Sequence, residues 1–286
     1  MKIGSEAHKQ LFCQSFMESH LKYEPEQLPW PKLDGAQLER LRSIPFWDEA
    51  FDTEQNAGKM LAAFAETVSD PLLRDAIALQ GMEESRHSRV IEFLINHYGI
   101  EIKPRPPKQI PDNVEEAFVK FGYGECFDSF FAFGLFAIAR QSGLFPDQFF
   151  AIFDPVIDEE ARHMVFFVNW VAYKQVHEGR GAKVLRDLNS LLYYTGSVRR
   201  RLDSFKGSKK GSGKGFTASG ASSVTSNLTL EKFVSTCIQE NDRRMSVYDS
   251  KLLRPEFLPR VAKTAFGMMK LLPKQNSSTM SSPNLG

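Results

Sequence analysis

The sequence predicts an all-α protein, a four-helix bundle with additional N- and C-terminal helices. Three observations carry that reading. Apolar residues recur at helical spacing through most of the first two hundred positions. No run of alternating apolar and polar residues marks a convincing strand. Four long periodic segments are separated by Pro, Gly and Asp where helices start and stop.

Residues 1–50, with YEPEQLPWPKLDG and RSIPFWDEA, read as an irregular lead-in with short helical pieces. The first long helix is expected from about Asp52 to Val68, stopping at SDP. Pro71 suits the first turn of the second, where a missing N–H is not needed for the helix. That helix runs to about His97, with Gly99 as its cap. After the connection IKPRPPKQIPD, Asp112 and Glu115 form a capping-box-like start to the third helix, which continues to about Gln141. SGLFPD makes the turn, and the fourth helix reaches from near Gln148 to His177. A fifth, about Ala182 to Phe205, completes the unit assigned to residues 51–205. Residues 206–227 are Gly/Ser/Lys-rich and read as a flexible loop. Residues 228–273 supply two C-terminal helices packing on the bundle, and 274–286 a disordered tail.

Composition excludes several classes. The 286 residues allow one large domain or two modest ones. With 36 Lys and Arg against 35 Asp and Glu, a nucleic-acid-coating protein is not expected. Cys13, Cys126 and Cys237 are odd in number and widely spaced, so a reducing cytoplasmic setting is expected rather than a disulfide framework. The start lacks a signal-peptide pattern, and no apolar run is long enough for a membrane span.

The informative feature is a repeated motif, EESRH at 83–87 and EEARH at 159–163, each beside strongly apolar sequence. Buried charges are costly unless paired or bound to metal. Glu84 with His87, and Glu160 with His163, are three residues apart, so each pair projects from one helix face. In an antiparallel hairpin, residues at equal height are equidistant from the turn. By that rule the partner of Glu160 is Glu125, and the rule favours Glu54 as the partner of Glu84, with Glu66, only a few residues from the turn, left as the rival. Four glutamates and two histidines at one level suit two iron ions better than a closed tetrahedral zinc site; manganese or a mixed pair stays open.

This set resembles the ferritin-like di-iron carboxylate proteins over roughly residues 50–178. The (Asp/Glu)-Glu-x-Arg-His form is similar to the motif of bacterial multicomponent monooxygenase hydroxylases. That resemblance implies that Glu83 orients His163, that Glu159 orients His87, and that Arg86 and Arg162 hold those acids, with Asp158 a further candidate beside Glu159. Both leading acids are Glu here, where that family usually has Asp.

A non-haem di-iron enzyme is therefore expected, activating O2 to hydroxylate, desaturate or N-oxygenate a small, mainly apolar organic substrate. No flavin, Rossmann or iron–sulfur motif is visible, so electrons are expected from a ferredoxin or reductase partner, or from a chemical reductant. Gly81, Gly122 and Gly124, costly inside helices, serve either a substrate chamber or close packing. The Phe-rich third and fourth helices, with Phe127, Phe130, Phe131, Phe133, Phe136, Phe149 and Phe150, are mostly core, with a few lining a channel. Tyr123 and Cys126 flank Glu125; Tyr123 is expected to be a helix neighbour pointing away from the metal, with a tyrosyl-radical role as the alternative. The basic run Arg199–Lys214 reads as a solvated linker, or else binds an acidic carrier, a reductase or tRNA. A tRNA hydroxylase and a rubrerythrin-like ferroxidase or peroxidase are the rival activities, and a homodimer is left open.

Overall fold

The structure is a computed structural model that describes residues 1–103, 106, 108–179, 191–196 and 228–271. All regular elements among the described residues are helical. They are α1 (Glu6–Glu18), a 3₁₀ turn (Pro25–Gln27), α2 (Gly35–Ser43), α3 (Trp47–Thr67), α4 (Pro71–Tyr98), α5 (Val114–Gln141), α6 (Asp147–His177), α7 (Leu230–Met245) and α8 (Phe257–Leu271). Residues 191–196 are helical as well, and the rest of the expected fifth helix lies outside the described residues. So do the 206–227 loop, the Arg199–Lys214 run and the 274–286 tail.

Local chemistry fixes the ends of α4. The Asp70 carboxylate accepts from the N–H groups of Leu72 (3.0 Å) and Leu73 (3.1 Å), satisfying donors that the first turn leaves unpaired. Gly99 closes the helix at φ 61°, a left-handed conformation that suits glycine. At α5 the cap differs from expectation. Asn113 rather than Asp112 accepts from the Glu116 N–H at 3.0 Å, so the helix starts one residue later.

The lead-in is more structured than its prolines suggest. Trp47 already belongs to α3, and a capping box links Asp34 and Gln37 at the start of α2. Phe12, Cys13 and Phe16 of α1 are fully buried in the main core. His8 is bonded to Asn169 of α6 (2.9 Å), whose amide also holds the Leu253 carbonyl (3.0 Å) and N–H (2.9 Å). One buried asparagine thus ties the N-terminal helix and the segment before α8 to α6.

Helices α3 and α4 form a tight antiparallel hairpin, and α5 with α6 forms a second. A Cβ on Gly81 would sit 3.1 Å from the Ala62 nitrogen and the Leu61 Cβ, so this glycine permits the close approach of α3. Two apolar cores sit at opposite ends of the four long helices. One contains Leu61, Phe64, Ile77, Phe118, Phe166 and Trp170; the other contains Trp47, Leu94, Tyr98, Phe149 and Phe150. Between them lies a layer of buried charge. On the outer side of α5, Phe130 packs with Cys237 of α7 and Leu258 of α8. All three cysteines are free and buried.

Candidate metal centre

Each of α3 and α5 brings one carboxylate to the charged layer, Glu54 and Glu125, and each of α4 and α6 brings a Glu/His pair one turn apart. The ligand atoms form two groups. Glu54, Glu84, His87 and Glu160 lie within 4.8 Å of one another, as do Glu84, Glu125, Glu160 and His163. Glu84 and Glu160 belong to both. His87 Nδ1 is 3.2 Å from Glu160 and 3.6 Å from Glu84; His163 Nδ1 is 3.0 Å from Glu84. Glu84 and both histidines are fully buried, whereas Glu54 keeps 23 % of its side chain exposed, towards the cavity it lines. Glu66, the rival on α3, is exposed near the turn.

The outer nitrogens of the histidines are held crosswise. His163 Nε2 is 2.9 Å from Glu83 on α4, and His87 Nε2 is 2.9 Å from Glu159 on α6. Arg162 pairs with Glu83, and Arg86 with Glu159. Burial works against ionisation of Glu83, but His163 and Arg162 outweigh it and hold its carboxyl at about 2. An ionised carboxylate only accepts, so His163 Nε2 must donate, and its Nδ1 lone pair then points at the other carboxylates.

That inner arrangement does not satisfy itself. Both Nδ1 atoms, Glu84 Oε2 and Glu125 Oε2 are buried with no hydrogen-bond partner. Acceptors facing acceptors need positive charge between them. Protons can supply it: burial and the neighbouring carboxylates push Glu54 up to about 8 and Glu125 well above its usual range. Burial disfavours a charged His163, yet Glu84 and Glu83 raise it to about 10. Metal cations can replace those protons, because ligands bind metal in their deprotonated forms. Mixed oxygen and nitrogen donors in two groups with shared carboxylates fit a pair of iron or manganese ions.

Beside the donors opens a cavity of ≈ 900 Å³, large for a small-molecule site. Its walls are mainly apolar, with Trp47, Val90, Ile91, Phe136, Phe149 and Phe153, while Glu54, His87, Glu125 and Glu160 face into it. The glycines divide between their two possible roles. A Cβ on Gly124 would meet nothing within 4 Å, and this residue lines the cavity, whereas one on Gly122 would collide with Phe167. The phenylalanines divide likewise: Phe136 and Phe149 line the cavity, and Phe130 and Phe133 are buried core.

Asp158 has no part in the site. It pairs with Arg244 of α7, because adjacent helical residues point about 100° apart and Glu159 takes the inward direction. Tyr123 stacks on Tyr193 (5.0 Å, 6°) and packs edge-on against Phe167, and the Cys126 thiol is pushed up to about 12 by burial. Two residues went unnoticed in the sequence. His20 Nδ1 lies 2.5 Å from Glu83, and the Tyr23 hydroxyl donates to Glu159 at 2.8 Å, with Arg86 4.0 Å over the Tyr23 ring. They sit in the irregular stretch after α1, where no periodicity could point to them.

No protein-family model matches the chain, and neither a curated protein nor a solved structure shows significant similarity to it.

Proposed function

We propose that the chain is a ferritin-like, non-haem di-iron oxidase or oxygenase acting on a mainly apolar organic substrate. The observation that carries this is the pair of unpartnered histidine Nδ1 atoms aimed, among four carboxylates, at one buried layer that opens on an apolar cavity. Glu54, Glu84, His87, Glu125, Glu160 and His163 would hold two irons, with manganese as the substitute. Bound iron supplies the redox chemistry that couples reduction of O2 to oxidation of an organic bond.

The chain's own part is positional. Glu83 and Glu159, each fixed by an arginine, hold the imidazoles in one orientation with Nδ1 inward. Phe136, Phe149 and Phe153 exclude water from a substrate lying against Glu54 and Glu160. The apolar chamber favours an organic substrate over the rival ferroxidase or peroxidase activity, which needs none. Electrons from a ferredoxin or reductase and a cytoplasmic setting belong to the same proposal. No described helix is long and apolar enough to cross a membrane.

The test is product analysis after incubating the reduced, iron-loaded protein with O2 and apolar substrates. Gain of one oxygen or loss of two hydrogens, absent in Gly124→Leu that still binds iron, supports the reading. Oxygen consumption indifferent to every substrate and to Gly124→Leu would favour the ferroxidase class.

A further inference from the structure

The large cavity is longer than a metal centre requires. Its α5 wall runs from Lys120 to Phe136, about 24 Å of helix, with Glu125 near the Lys120 end. The far side is walled mainly by Phe136, Phe149 and Phe153, with the acids Glu49 and Asp128 also in the lining. At the near end a second cavity of ≈ 240 Å³ adjoins it, the two sharing Thr53 and Phe121 in their walls.

The chemistry changes between the two ends. Among the described residues, the charged side chains on the small cavity are Lys59 and Lys108, joined by the neutral Asn56 and Gln109, and no acid lines it. Lys59 is bonded, among the described residues, only to the neutral Gln55, at 3.0 Å. Lys120, on the wall of the large cavity, pairs with Glu116 at 2.6 Å, and both are about half exposed. Such an exposed pair is weak and readily exchanged. Helical geometry sets the two helical lysines, Lys59 and Lys120, at one height. Lys59 lies five residues after Glu54 and Lys120 five before Glu125. Phe121 meets the Thr53–Met60 stretch of α3 across the small cavity, so α3 and α5 run in opposite directions. Both lysines therefore stand about 7.5 Å to the same side of the metal level.

We propose that the substrate is an amphiphile. Its elongated apolar chain lies past Glu54, Glu125 and Glu160 towards Phe136, and its anionic head, a carboxylate or phosphate, is held by Lys59, Lys108 and Lys120. This deepens the proposed function and rests on its reading of the cavity as the substrate chamber. A head anchored at one end fixes which part of the chain meets the metals, which a uniformly apolar cavity could not do.

The experiment is calorimetric binding of dodecanoate, dodecyl phosphate and dodecan-1-ol to the anaerobic iron-loaded protein, with iron content measured on the same samples. The anions should bind about 3- to 30-fold more tightly than the alcohol, the range expected for two or three exposed charge pairs. Whichever anion binds better identifies the head. Lys59→Met/Lys108→Met should remove most of that preference and leave the affinity for the alcohol and the melting temperature unchanged. Gly124→Leu should weaken all three ligands. Equal affinity for alcohol and anions, or a preference that survives the lysine substitutions, overturns the proposal while leaving the di-iron reading in place. Lysine-dependent binding of dodecanoate by protein that holds no iron would do the reverse.

Discussion

Glu83 on α4 meets His163 on α6 at 2.9 Å, and the relationship is reciprocated by Glu159 and His87 at the same distance. The leading glutamate of each EExRH motif thus serves the histidine of the other. Neither motif is a complete site alone. Glu83→Ala should lower metal affinity about 10- to 100-fold, the usual cost of losing such a partner. Competition with a chelator of known affinity measures it. An unchanged affinity would mean that Glu83 merely neutralises Arg162.

Protons and metal compete for the same lone pairs. In the metal-free protein Glu54 titrates at about 8 and His163 at about 10. Both values lie above those of the unfolded chain. The folded state therefore holds extra protons between roughly pH 4.5 and pH 10, and its stability falls as pH rises through that range. Glu83, held at about 2, acts only at lower pH, where stability is lost as the pH drops towards that value. Metal affinity has the opposite slope and rises with pH. Melting curves at several pH values, with and without metal, should show a stabilisation by metal that grows towards alkaline pH. A stabilisation independent of pH would contradict this.

The neighbouring glycines of α5 separate packing from chamber. Gly122→Ala forces a methyl into Phe167 and should cost about 1–3 kcal/mol. Gly124→Ala meets open space and should be neutral or stabilising by up to about 1 kcal/mol. Chemical denaturation of the two variants decides it, and equal costs would refute the division.

What the sequence made legible follows from helical geometry. Spacing of three put Glu84 with His87 and Glu160 with His163 on common faces, and equal distance from a turn selected Glu54 over Glu66. The same regularity failed at single-residue resolution. Asp112 and Asn113 can both cap a helix, and the structure uses Asn113. Asp158 and Glu159 are both acidic, and only the helical rotation decides which faces inward. His20 and Tyr23 were invisible for a different reason: they reach the site from irregular chain, where contacts depend on tertiary folding. Gly122 and Gly124 look alike in sequence, and only Phe167 tells them apart.

Asn169 is a third kind of hidden residue, a buried junction among His8, Leu253 and α6. Asn169→Leu keeps the branching and heavy-atom count but is bulkier and leaves buried donors and acceptors unpaired, and should cost about 2–4 kcal/mol. Metal content should be unchanged in the fraction that folds. A loss below about 1 kcal/mol would show that the junction does not bind the two terminal segments to the bundle.

The most direct test of the central claim is iron content together with rapid-mixing absorbance after the anaerobic ferrous protein meets O2. Two irons per chain are expected, one for each group formed by the six proposed ligands, with a transient near-ultraviolet or visible band, both lost in Glu84→Ala and in Glu160→Ala. Folded protein that takes up no iron under reducing conditions would contradict it, leaving EESRH and EEARH as a buried, proton-bridged ion-pair network.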